Sequence, residues 1–173
     1  MGDEQAKYRF PLAGLQAGVL GVLVMVAWLA LASVATGRSA WLPANLFAML
    51  FHGPKAYRNF YHRDAWSGLA FLIVAYGLAG AAWGQLLAVF VRTERSGFLR
   101  LYGVLAGLIV YTVVFGMLVK ARAPLIGIYA PDLPMRVGHI LWGLALAKTP
   151  QYAYQMAKQE AQHYQPPAGF DSV

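Results

Sequence analysis

Apolar residues are gathered into long blocks separated by short polar stretches. A helix needs roughly 20 apolar residues to cross the ~30 Å hydrocarbon layer of a bilayer, and three blocks reach that length. They cover residues 12–36, interrupted only by Gln16 and Ser33, residues 66–91 and residues 98–119. A fourth, residues 135–149, lies between Pro134 and Pro150. Its roughly 15 residues rise only about 22 Å. It is expected to cross as a thin or tilted span, helped by Ile126, Ile128 and Tyr129 before it and by Lys148, whose ammonium snorkels past its end. The expectation is an all-α polytopic membrane protein with four transmembrane helices in one membrane domain, residues 1–173. A cleavable signal peptide is the rival reading of the first block, but a run of roughly 25 apolar residues exceeds the 7–15 of a signal core.

Between the first two spans, residues 41–64 are neither apolar enough to cross nor polar enough to float free. Leu46, Met49 and Leu50, then Tyr57, Phe60 and Tyr61, recur at helical spacing, with Lys55, Arg58 and Arg63 elsewhere. This predicts an interfacial amphipathic segment broken near Gly53 and Pro54, with Trp41, Tyr57, Tyr61 and Trp66 at headgroup level. After the fourth span, Thr149 can cap and Pro150 can open a C-terminal amphipathic helix, which Pro166 and Pro167 end.

The order of small motifs repeats. Gly18, Val19, Leu20 and Leu23 match Gly103, Val104, Leu105 and Leu108, while Tyr76-Gly77-Leu78-Ala79 matches Trp142-Gly143-Leu144-Ala145. A tandem repeat of two helical hairpins, with the interfacial segment inserted in the first, produces that order. Small-residue strips mark where helices approach one another: Gly14, Gly18 and Gly21; Gly77, Gly80 and Gly84; Gly103 and Gly107. Contacts inside one bundle are the expectation for them, ahead of an oligomer interface.

Composition agrees with the pattern and narrows the chemistry. Of 173 residues 59% are hydrophobic and 12% charged, with no cysteine. Disulfides, thiolate catalysis, cysteine-held zinc or iron–sulfur clusters and covalent c-type haem are therefore excluded. The net charge of +7 is spread over both faces, which argues against a nucleic-acid surface and for anionic lipid headgroups. Lys7, Arg9, Arg92, Arg95, Arg100, Lys148 and Lys158 on the side of the termini equal in number Arg38, Lys55, Arg58, Arg63, Lys120, Arg122 and Arg136 on the other. The crowding of Arg92, Arg95 and Arg100 in one short hairpin favours cytoplasmic termini.

His139 is the most suggestive single residue, because an ionisable group within a span needs a partner or a task. Its imidazole can ligate a haem iron or a chlorophyll magnesium, with Gly138 and Gly143 leaving room for a flat macrocycle, or hydrogen-bond to Gln16, Thr112 or a backbone carbonyl. Asp132 and Arg136 are spaced for an i,i+4 pair at the start of the fourth span. The seven acids all fall in loops or termini, which speaks against a proton-coupled pump. No HExxH, P-loop or GxSxG motif occurs, so catalysis is not expected.

The layout of four spans, with Tyr76-Gly77-Leu78-Ala79 in the second and Gly138, His139, Trp142, Gly143 and Leu144 in the fourth, resembles the uncharacterised YagU-like small membrane proteins of bacteria. The resemblance implies a bacterial inner-membrane location and no established chemistry, and residues 41–64 and the Tyr-rich tail depart from it. The resulting expectation is a non-catalytic accessory subunit of a larger respiratory or photosynthetic membrane complex. Trp41, Tyr57, Tyr61, Tyr152 and Tyr154 would meet partner subunits and lipids. A haem- or chlorophyll-binding protein using His139 and a small solute transporter or channel are the alternatives.

Overall fold

The computed structural model describes residues 2–58, 62–90, 96–119 and 124–163. Its described elements are helices: α1 (Gly2–Ala35), α2 (Leu42–His52), α3 (Lys55–Arg58), α4 (His62–Phe90), α5 (Ser96–Val110), which continues as a π-helix over Tyr111–Val119, then α6 (Pro124–Tyr129), α7 (Asp132–Leu146) and α8 (Thr149–His163). Tyr8–Ala35, Asp64–Val89 and Phe98–Met117 are long and apolar enough to cross a membrane. At 15 residues, α7 falls short of that length.

Two antiparallel hairpins, α1 with α4 and α5 with α7, are joined where α1 also packs on α7. Glycine makes the hairpin contacts possible. A Cβ on Gly80 would meet the Gly14 carbonyl and stand 2.7 Å from Gly18 Cα, and one on Gly84 would meet the Phe10 carbonyl and stand 3.2 Å from Gly14 Cα. In the second hairpin Gly103 lies against the Gly143 carbonyl and Gly107 against that of His139. The glycines matched between the two halves of the sequence, Gly18 with Gly103 and Gly77 with Gly143, thus sit at the crossing of their own hairpin. Gly77 faces the Val19 side chain and Gly143 faces Val104 Cα. Close backbone approach is what binds helices together where no water is present to drive them.

The seam between hairpins is tied by indole groups. Trp142 Nε1 donates to the Gly18 carbonyl (3.1 Å) and Trp28 Nε1 to that of Pro134 (3.0 Å). Helix α1 ends in a Schellman turn, with Gly37 at φ +71° and the Arg38 amide donating to the Ser33 carbonyl at 2.9 Å. The break between α7 and α8 comes from Pro150, which lacks the N–H that would bond the Leu146 carbonyl. That carbonyl accepts instead from the Thr149 hydroxyl (2.7 Å) and from Trp83 Nε1 (3.2 Å). The Thr149 side chain therefore turns back to the preceding helix.

Helix α1, about 51 Å long at 1.5 Å per residue, extends beyond α7 and meets α8, where Arg9 and Glu160 pair at 2.7 Å with side chains 27% and 45% exposed. Solvent screens such a pair, so Arg9→Ala is expected to cost less than about 1 kcal/mol. A thermal melt in detergent checks this; a loss of helix content in α8 would show that the pair is needed for docking.

The break expected near Gly53 and Pro54 separates α2 from α3, but the structure corrects the interfacial reading of Leu42–His52. Helix α2 is buried over Leu42 to Met49, with Phe47 only 2% exposed. Apolar on every face but for the buried Asn45, it fits a wedge better than a surface. It crosses α4 where Gly68 meets the Ala44 carbonyl and the Ala48 amide, and Phe47 packs edge-on against Phe115 of the π-helix at 5.7 Å.

Candidate functional site

His139 is fully buried and lies near the middle of the bundle. Its carbonyl faces Gly107, midway along Phe98–Met117, and its ring faces Tyr76, midway along Asp64–Val89. Nδ1 is 2.8 Å from the Met135 carbonyl and Nε2 is 2.6 Å from the Tyr76 hydroxyl. A carbonyl only accepts, so Nδ1 carries the proton. The neutral ring then offers its Nε2 lone pair, to which Tyr76 O–H donates. Trp142, Tyr111 and Phe115 complete an aromatic enclosure, the last two edge-on to the imidazole at 5.3 and 5.9 Å.

A haem or chlorophyll at His139 would have to displace one of these two hydrogen bonds. Both ring nitrogens are engaged, and the glycines once credited with making room serve packing. A Cβ on Gly138 would stand 2.8 Å from Met25 Cγ, and one on Gly143 would stand 3.1 Å from Val104 Cα. Of the partners suggested by sequence, the backbone carbonyl is found. Gln16 is exposed, and Thr112 donates to the Leu108 carbonyl in its own helix (2.8 Å).

One turn from His139 the third long helix changes form. From Tyr111 to Val119 it is π-helical, a rare, widened geometry that occurs often at functional sites. The Thr112 hydroxyl supplies a partner to the Leu108 carbonyl where α gives way to π. The rings of Tyr111 and Phe115 stack nearly parallel, 9° apart with centroids at 6.0 Å. Beside them lies a cleft of about 640 Å³, lined also by Thr112, Gly116, Asp132 and Arg136. Arg136 Nη2 pairs with Asp132 Oδ2 at 2.5 Å, Tyr111 O–H donates to Asp132 Oδ1, and the guanidinium carbon stands 5.6 Å from the Tyr111 ring centroid. The sequence suggested the ion pair but neither the tyrosine that completes it nor the cleft.

Gly116 has a different role from the hairpin glycines. A Cβ there would find only Thr112 Cγ2, at 3.8 Å, in its own helix. No crossing helix demands this glycine; its missing side chain keeps the cleft open.

Of the aromatic residues assigned to partners, Trp41, Tyr57 and Tyr152 are half-buried. Trp41 packs on Trp66 (6.0 Å), Tyr57 stacks on Tyr129 (4.3 Å) and Tyr152 packs on the core, because α2, α3 and α8 lie against the bundle. Tyr154 alone of the described members is broadly exposed, at 71%, and Tyr61 lies outside the described residues. The chain matches no protein-family model, no curated protein and no solved structure.

Proposed function

We propose that the protein is a non-catalytic accessory subunit of a larger bacterial membrane complex, respiratory or photosynthetic in kind. It would sit in the cytoplasmic membrane with four spans, α7 being the short one, and with cytoplasmic termini. The observation that carries this reading is the depth of an exposed ion pair. If His139 marks the bilayer middle, Arg136 lies about 4.5 Å and Asp132 about 10 Å along α7 from it, inside a hydrocarbon half-layer of about 15 Å. Their side chains are 55% and 63% exposed on the flank of the bundle. Arg136 lies too deep and the Asp132 side chain is too short for either to snorkel to the headgroups, and ionised groups so placed are costly against lipid tails and usually face other protein or a polar cavity. A transmembrane helix of a partner subunit laid along the cleft provides that cover. Phe98–Met117, the least buried of the three long apolar helices, forms one wall.

Extraction of tagged protein from its native membrane in mild detergent tests the reading. Stoichiometric membrane subunits should accompany the wild type, and Gly116→Leu, which fills the cleft, should lower their recovery severalfold while the chain keeps its melting temperature. A solitary wild-type chain, or partners retained equally by the variant, would overturn the proposal.

A further inference from the structure

At the opposite end of the α5–α7 hairpin a second pocket, about 530 Å³, is lined by Leu99, Arg100, Leu144, Ala147, Lys148, Pro150 and Gln151. Its chemistry differs from that of the cleft. Arg100 and Lys148 are both exposed, neither forms an ion pair among the described residues, and no acid lines the space. The first turns of α5 and α8 also lack acidic residues. The pocket therefore gathers positive potential with nothing in its lining to neutralise it.

The two cations come from elements distant in sequence, brought together by the crossing of Gly103 and Gly143. Three residues back from the first and five forward from the second lead to the same end of the hairpin. Counted along α7 from the His139 level, Lys148 is displaced about 13 Å, and Arg100 about 10 Å along α5 from the Gly107 level. Those heights approach the edge of a half-layer of about 15 Å, within snorkelling reach of the headgroups. Leu144, 39% exposed, lies on the hydrocarbon side of the cations, while Leu99, 8% exposed, lies level with them.

We infer that this pocket is a site for an anionic phospholipid, with its phosphate held between Arg100 and Lys148 and the start of an acyl chain against Leu144. The inference uses the membrane placement proposed above but not the partner subunit. Basic pockets between spans recognise anionic headgroups in this way. Exposure of both cations suits a ligand that arrives laterally in the bilayer. The pocket is continuous with the break between α7 and α8, so a bound lipid also touches the start of the helix that docks on α1.

The test is native mass spectrometry of the full-length protein, with any subunits that accompany it, released from nanodiscs of phosphatidylcholine doped with phosphatidylglycerol. The wild type should retain phosphatidylglycerol selectively, and Arg100→Gln/Lys148→Gln should reduce that retention at least fivefold, with phosphatidylcholine adducts and melting temperature unchanged. Inorganic phosphate should not displace the lipid, since it lacks the chain contacts. Equal retention in wild type and variant, no preference over phosphatidylcholine, or full displacement by inorganic phosphate would overturn the assignment. Partner recovery is read separately, so loss of the lipid and loss of the partner are distinguishable.

Discussion

Gly80→Leu is expected to break the α1–α4 hairpin and with it the folded bundle. The position leaves no direction for relief. A Cβ would meet the Gly14 carbonyl and stand 2.7 Å from Gly18 Cα and 3.0 Å from Gly18 N, all backbone atoms of α1. A flexible side chain can rotate away from such a contact; a helix backbone moves only as a unit. Separating the axes would also loosen the Gly14–Gly84 and Gly18–Gly77 contacts along the same strip. Overpacking of a dense contact costs about 1–3 kcal/mol and sometimes more, and this site belongs at or beyond the top of that range. Titration from mild detergent into SDS, followed by tryptophan fluorescence, checks the result. Gly116→Ala serves as the comparison, because its new methyl finds Thr112 at 3.8 Å and nothing else; its stability should stay within about 0.5 kcal/mol of wild type. Equal stability of the two variants would mean that the glycine strip is not what holds α1 to α4.

That contrast also shows what a linear chain can reveal. Glycines at three- and four-residue spacing within an apolar block have few uses besides close helix contact, so the strips through Gly80 and Gly103 were legible. The three longest helices were legible as well, because length and hydrophobicity suffice to mark them. Rotation and partner choice were not. Nothing local to Tyr76 announces that its hydroxyl meets His139, 63 residues away; in the sequence it stands only as part of a repeated aromatic-glycine motif. The burial of α2 is hidden in the sequence for a related reason. Leu46, Met49 and Leu50 describe one apolar face, while the faces of Ala44, Phe47 and Ala48 are apolar too, and burial on all sides became visible only with α4 in place. The π-helix has no clear sequence mark, and the cleft arises from its widening together with the approach of α7. The Asp132–Arg136 spacing predicted a pair, but its importance comes from its depth along the bundle, which requires the register of three helices.

Tyr76→Phe should destabilise the protein by about 1–3 kcal/mol, because it leaves a fully buried imidazole nitrogen with no donor. His139→Leu should cost a similar amount, stranding the Tyr76 hydroxyl among Trp142 and its other apolar neighbours. The double variant is the informative one. With both polar groups gone, its loss should fall short of the sum of the single losses by about 0.6–2 kcal/mol, the range measured for hydrogen bonds between buried helices. SDS titration of the four proteins supplies the cycle, and strictly additive losses would show that the bond contributes no coupling. The same variants test the occupancy of Nε2 directly. While Tyr76 holds that nitrogen, haem-replete expression should yield wild-type protein without a Soret band, and Tyr76→Phe exposes the lone pair only to a space closed by Tyr111, Phe115 and Trp142. A Soret band in the wild type that disappears in His139→Leu would show that iron displaces the tyrosine hydroxyl, and the geometry of this core would then describe the protein before its cofactor arrives.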